Sequence, residues 1–321
     1  LGYRPKGSQG DSLYLAENPP FGSVFTYYLA DSFKTQKQVR QATESATKKA
    51  GDDVSFPGWR EVTDETQEQK PQVMLVIHDN DGNVLRRVSA PNKAGLNRVA
   101  WDLRRSFSGP VETGKNWRGD SPSGFMVMPG SYQAKLVVVQ NGVEQTLAGP
   151  VDFNVKRLRE GALPGSSLDE LEAFTVELNT LYGQSSAVRY AIRDARKSLD
   201  KIATMIERMA NPTPDAHAQL HELRVELYDI EETVFGNDVQ ADIGGYEPMS
   251  VSSWLAHAMR GVSNSSYGPT PSHEQSVEYA KTVFEPAKRR LDDVIQKRLP
   301  ALRETLRDAG APWTVGEPIA E

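Results

Sequence analysis

The hydrophobic period of this chain changes once, between residues 158 and 166, and that change decides most of what it can fold into. Before it, apolar residues come in short runs bounded by Gly, Pro and Asn. After it, they recur at alternating steps of three and four for dozens of residues. A period of two marks the two faces of a strand, and a period near 3.6 marks one stripe of a helix. Two regimes in succession predict an antiparallel β domain followed by a helical one.

In the first regime, residues 1–20 are rich in Gly, Ser and Pro and read as a linker or extended arm. Ser23 to Leu29 is β-branched and aromatic, a good first strand. Residues 33–50 are polar and helix-prone, and 52–71 form an acidic loop with Trp59, so 31–71 reads as a helical insertion lying on the β domain. Residues 72–104 hold its middle. Val73, Leu75 and Ile77 alternate with Met74, Val76 and His78, which suits a strand buried on both faces. Asp81-Gly82 supplies a tight turn, Val84, Leu85 and Val88 a return strand, and Ala94-Gly95 leads to a third strand with Leu96, Val99 and Trp101 as its apolar residues. Trp101 is the expected core anchor, and Asp102 is expected to bind backbone or Arg104. Arg105 to Met128 reads as a long loop carrying Trp117. Pro129-Gly130 turns into Ser131–Val139, and Asn141-Gly142 joins that strand to Val143–Val155. The expectation is an immunoglobulin or fibronectin III-like β-sandwich over 21–158.

In the second regime, Leu171, Phe174, Leu178, Leu181, Ser185, Val188, Ile192, Ala195, Leu199, Ile202, Ile206 and Met209 line one long helix. Ser167 and Glu170 have the spacing of a capping box. A second helix starts at Asp215, a shorter one spans Ser250–Val262, and a last helical stretch runs from His273 to about Ala309. Pro286 and Pro300 inside it predict kinks or breaks. An antiparallel three- or four-helix bundle over 166–310, with a tail at 311–321, follows. Its seams are buried within one chain, so a monomer is expected.

Composition narrows the function classes. A net charge of −6 and a pI near 5.6 argue against nucleic acid as a partner, and no run approaches the ~20 apolar residues of a membrane span. Without cysteine there is no disulfide, thiolate nucleophile or Cys-ligated zinc. The first residues, LGYRPKG, lack an initiator Met and suggest an excised or processed piece of something larger.

No catalytic constellation or cofactor motif assembles from these residues. His217 and His221 have the i, i+4 spacing of two metal ligands, but no Glu lies between them, and they read first as exposed histidines on a polar helix face. Trp59, Trp117, Trp254 and Trp313 lie outside the expected strands and could stack on a sugar, although capping the two cores is the plainer role. Trp117 and Trp59 are the possible ligand-binding residues. Arg118-Gly119-Asp120 is an RGD tripeptide, and Asn264-Ser265-Ser266 a glycosylation sequon. The pairs Asp52-Asp53, Glu231-Glu232 and Asp292-Asp293 fall on polar faces or loops, without apolar flanks to raise one pKa. Gly82, Gly95, Gly130 and Gly142 are read as turn residues.

Four segments carry a resemblance: NPPFGSVFTYYL (18–29), VIHDNDGNVLRRV followed by AGLNRVAWDLR (76–104), VMPGSYQAKLVV (127–138) and LPALRETLRDAGAPWTVGEP (299–318). In this order they resemble the C-terminal region of bacterial sortilin-like β-propeller proteins, which are often labelled BNR-repeat glycosyl hydrolases. The DxxGNxxR and AGxNxVxWD patterns are also similar to the immunoglobulin-like domain of flagellar-hook capping proteins. The resemblance implies an exported protein, secreted or periplasmic, whose repeats and any catalytic pocket lie upstream of Leu1. No propeller repeat or Asp-box occurs here, so the hydrolase label carries onto no residue of this chain. It implies a non-catalytic accessory region that packs against the propeller or binds a protein partner. The alternatives are a carbohydrate-binding module and a hydrolase with a metal on His217 and His221.

Overall fold

The computed structural model describes residues 19–111, 123–159, 161, 164–245, 248–265 and 267–313. The chain divides into two compact units, one of 1–105 with 130–155 and one of 106–129 with 156–321.

The first unit holds two antiparallel sheets. β1 (Ser23–Leu29) is followed by α1 (Gln36–Ala50), α2 (Trp59–Gln67), β2 (Gln72–His78), β3 (Val84–Ala90), β4 (Gly95–Trp101) and the start of β5 (Arg104–Ser106). The intervening segment carries β6 (Ser123–Met126) in the second unit, and β7 (Gly130–Gln140) and β8 (Val143–Val155) complete the first. A four-stranded sheet has the order β3-β2-β7-β8, and β1 pairs with β4 in a separate ladder. Within 72–104, then, only β2 is central to a sheet. β3 lies at an edge, and the Trp-bearing strand belongs to the other sheet.

Alternation explains which side chains face inward. On β4 the buried positions are Asn97, Val99 and Trp101, whereas Leu96 is 80% exposed. Leu96 and Trp101 are five residues apart, so a period of two places them on opposite faces, and of the strand's apolar residues Val99 and Trp101 face inward while Leu96 faces out. Asn97 takes the inward place because its Nδ2 donates to the carbonyls of Lys93 and Gly95, at 2.7 and 3.0 Å. Trp101 is fully buried, meets Tyr132 and Phe153 edge-on at 6.0 and 5.9 Å, and donates its indole N–H to the Arg104 carbonyl at 2.9 Å. Asp102 accepts from the backbone N–H of Arg104 at 3.1 Å. Gly22 lies so close to the Trp101 carbonyl that a Cβ there would be 1.8 Å from its oxygen.

Two turns fix registers. Asp79–Asn83 is not a two-residue turn. The Gly82 N–H bonds to Asp79 O, the Asp79 N–H bonds to Asn83 O, and Gly82 has φ +83°, giving a three-residue loop closed by a left-handed glycine. The Asp79 carboxylate accepts from the amides of Asp81 and Asn83 and from the Asn83 side chain. Asn141-Gly142 is the two-residue turn, with φ +53° and +76° at its two positions. Gly130 needs no positive φ and opens β7 as an ordinary strand residue.

In the second unit, α3 (Leu168–Arg208) carries the long stripe and starts in the Ser167/Glu170 capping box. α4 (Ala216–Phe235), the short α5 (Asp238–Asp242) in what reads from sequence as a loop, α6 (Val251–Asn264), α7 (Pro271–Asp293) and α8 (Leu299–Asp308) follow. One core of Leu, Ile, Val, Ala, Met and Phe joins α3, α4, α6, α7 and α8. Segment 106–129, read from sequence as a loop of the β domain, belongs with the helices. Phe107 meets Tyr182 edge-on at 6.0 Å, Ser108 donates to the Asn179 carbonyl at 2.7 Å, and Phe125 packs on the helical core. Gly183 permits this approach, since a Cβ there would sit 2.7 Å from the Ser108 carbonyl oxygen.

The two prolines of the last stretch behave differently. α7 runs unbroken through Pro286, and both Pro286 and Thr282, the residue whose carbonyl loses its helical donor, lie on the exposed side of the helix. Before Pro300 the helix widens into a π turn at Val294–Arg298, with the Leu299 N–H bonded to Val294 O, and α8 restarts with Pro300 in its first turn.

Candidate functional site

The insertion between β1 and β2 builds a groove. Thr35 and Gln38 cap α1 reciprocally, Gly51 ends it in the left-handed conformation at φ +87°, and Gly58 at φ +103° starts α2. The second helix replaces part of the expected acidic loop. Its inward residue is not apolar but Glu65, whose carboxylate takes a two-pronged bond from Arg40: Nε to Oε1 at 2.6 Å and Nη2 to Oε2 at 2.7 Å. The third guanidinium nitrogen, Nη1, bonds Glu44. Hydrogen bonding from Arg40 holds the Glu65 carboxyl below the ordinary range, and the same bonds hold Arg40 protonated. The Gln36 N–H donates to Glu68 at 2.6 Å, and Gln140 of β7 donates to the Lys34 carbonyl at 3.2 Å.

Between α1 and loop 52–58 lies an open groove of about 760 Å³, lined by Val39, Thr43, Thr47, Val54, Pro57 and Glu61 among others. Phe56 and Trp59, neighbours in sequence of the lining residues Ser55 and Pro57, form an edge-on pair with centroids 5.0 Å apart, 62% and 80% exposed. The lining offers hydroxyls, two amides, carboxylates and the Lys34 ammonium, with its one guanidinium, Arg40, already satisfied.

A second cluster sits where α6 meets α7. The His257 and His273 rings lie with centroids 5.0 Å apart, and Gly261 gives the His273 ring its place, since a Cβ there would be 2.2 Å from Cε1. His257 Nδ1 is 3.0 Å from Ser276 Oγ, and His273 Nδ1 is 3.1 Å from the Thr270 amide nitrogen. Burial, and then the charge of His257, push the His273 pKa down. Neither histidine stands out in the sequence reading. The usable signal was Thr270-Pro271-Ser272-His273, an N-cap residue with Pro at the first helical position and a side-chain acceptor three residues on. Ser276 is 2% exposed, so this Ser–His contact is packing and not an accessible nucleophile.

The other candidates are scattered. His217 and His221 are both exposed on α4, and among the described residues no group of three or more His, Cys, Asp or Glu could hold a metal. Trp254 is half-buried against Tyr279 and the helical core, and Trp313 is 56% exposed. Trp117 and the RGD at 118–120 lie outside the described residues, as does Ser266 of the sequon, whose Asn264 ends α6. Asp52 and Asp53 are exposed. Glu231 pairs with Arg196, Glu232 accepts from Asn237, and Asp293 pairs with Lys297. His78 is buried with an unpartnered Nδ1, and burial, then Lys135 and Arg87, push its pKa down. No helix among the described residues is long and apolar enough to cross a membrane. Comparison with protein-family models, with curated proteins and with solved structures finds no match.

Proposed function

We propose that this chain is a non-catalytic interaction region of a larger exported protein. In this reading the first unit is an immunoglobulin-like sandwich with a helical insertion, and the second an antiparallel three- or four-helix bundle. Its role is to pack against a β-propeller of the same polypeptide or to bind a protein partner. The observation that carries the reading is the outer face of the β1–β4 ladder. Tyr28 and Leu96 are direct cross-strand partners, 66% and 80% exposed, and Val24 is exposed on the same face of β1 beyond the polar Thr26–Arg98 pair. Clustered exposed apolar side chains of this kind mark association surfaces in soluble domains. The resemblance of segments 18–29, 76–104, 127–138 and 299–318 to sortilin-like proteins supports the propeller as partner.

The test is calorimetric binding between this chain and the upstream propeller of its polypeptide, repeated with Leu96→Glu. Binding that the charge abolishes supports the proposal. Glycosidase or peptidase turnover by this chain, lost on a point mutation within it, sinks it.

A second reading, carbohydrate binding, rests on the exposed Phe56–Trp59 pair beside the α1 groove. Glycan-array binding lost in Trp59→Ala favours it, and a flat array removes it.

A further inference from the structure

The hydrogen bonds around the two α6–α7 histidines fix their tautomers. Ser276 Oγ donates its hydrogen to the Ser272 carbonyl at 2.7 Å, so it can only accept from His257, whose Nδ1 therefore carries the proton. His273 is the opposite. The Thr270 backbone N–H points at its Nδ1 from 3.1 Å, and the Thr270 hydroxyl lies at the same distance. A nitrogen that accepts a backbone N–H is unprotonated, so His273 is the Nε2–H tautomer.

Three features then oppose a proton on His273 Nδ1. It would remove the acceptor that satisfies the Thr270 N–H, one of the unpaired donors of every helix start. It would place a cation in the first turn of α7, at the positive end of the helix dipole. It would also place a charge on a ring whose centroid lies 5.0 Å from that of His257, a neighbour that disfavours it. We infer that this joint is an acid-sensitive latch: neutral His273 holds the start of α7 closed, and a proton on His273 Nδ1 releases it.

The surrounding charges do not offset this. Arg260 on α6 is bonded to the Ala256 carbonyl, and Glu274 on α7 is exposed. On α3, Glu170 is held in its own capping box and Glu177 by Lys281; on α4, Glu231 is held by Arg196 and Glu232 by Asn237. The charge that acts on His273 is that of His257, and it opposes protonation. The sign follows. The unfolded chain takes up the proton more readily than the folded one, so the latch is fully closed above the ordinary histidine value, ~6.5, and is lost as pH falls from there through the lowered value of folded His273.

The experiment is amide hydrogen exchange over 270–276 in the full chain at pH 7.5 and 5.5, corrected for intrinsic rates, with His273→Asn beside the wild type. Asn places an acceptor oxygen where Nδ1 stands and does not titrate. Wild type should lose protection about fivefold at the lower pH, the change that corresponds to one lost helix cap, and His273→Asn should lose none. Equal loss in both proteins, or no loss in wild type, overturns the latch. Ring nitrogen NMR of the unmodified protein is independent of any variant: a proton on His273 Nδ1 at pH 7.5 overturns it as well.

Discussion

Replacing Trp101 by Phe tests the β unit at its largest fully buried side chain. Phe keeps a ring for the edge contacts with Tyr132 and Phe153 but loses the indole N–H and the pyrrole half of the side chain. The N–H reaches the Arg104 carbonyl at 2.9 Å, and that bond contributes about 1 kcal/mol. Roughly 40 Å² of apolar area lost at about 25 cal/mol per Å² adds about 1 kcal/mol. A residual void of roughly 40 Å³ adds about 1 kcal/mol more if the site does not collapse. Gly22 and the Trp101 carbonyl already stand at their closest approach, which limits collapse from that side. The expected loss is therefore about 2–3 kcal/mol, and Trp101→Ala should cost about 4–5 kcal/mol. Urea titration followed by hydrogen exchange of the β1 and β4 amides measures it, since global signals mix the two units. A loss under about 0.5 kcal/mol for Trp101→Phe in those amides would refute the assignment of Trp101 as the packing centre. Trp59→Ala, on an exposed side chain, is the control and should stay within about 0.5 kcal/mol of wild type.

Gly22→Ala should destabilise the β1–β4 ladder by more than about 1 kcal/mol, because φ +110° and the Trp101 carbonyl both exclude a Cβ; a neutral result in a urea melt would contradict that. Ser167→Ala removes the cap of α3 and should cost about 1 kcal/mol, read as faster exchange confined to its first turn. Asp79→Ala should free the β2–β3 turn, detected as lost protection at Asp81 and Asn83. Burial works against the Asp79 charge, but the bonds from Asn83 and Asp81 outweigh it and hold the carboxyl below its ordinary value. That contribution is complete above the usual carboxylate range, about 4, and is lost as pH falls through the lowered value, so turn protection should drop in acid and Asp79→Ala should show no such drop.

What could be read from sequence was what is local. The Asn141-Gly142 turn, the Ser167 cap and the α3 stripe each depend on residues a few positions apart. Partner choice between strands is not local. Alternation on β1, β3 and β4 says which side chains share a face but is silent on which strand lies alongside, so the pairing of Ser23–Leu29 with Gly95–Trp101 had no signature. α2 was missed for a related reason. WREVTDETQ has no side-chain cap, and its buried position is a glutamate whose partner, Arg40, lies 25 residues away. A hydrophobic period cannot register a helix that turns a carboxylate inward. Pro286 misled in the opposite direction, because the penalty of a helical proline depends on whether the carbonyl it orphans reaches water, and exposure is a property of the fold.

The histidine pair shows the same limit at the level of chemistry. His217 and His221 draw attention because their spacing places both on one face of a single helix, yet they stand in solvent with no third ligand beside them among the described residues. His257 and His273 have no meaningful spacing, and only the α6–α7 joint brings their rings together. Their opposite tautomers come from a serine hydroxyl committed to Ser272 in one case and a backbone amide at a helix start in the other. A histidine can act as a pH-dependent group only where protonation breaks something, and here it breaks the Thr270 amide bond. A substitution at His257 separates the helix cap from the neighbouring ring. His257→Asn keeps a donor for Ser276 and the His273 cap but removes the neighbouring charge, so the pH at which residues 270–276 lose protection should move upward while the closed state at pH 7.5 is retained. A midpoint that stays put would show that the cap alone, without the second ring, sets the response.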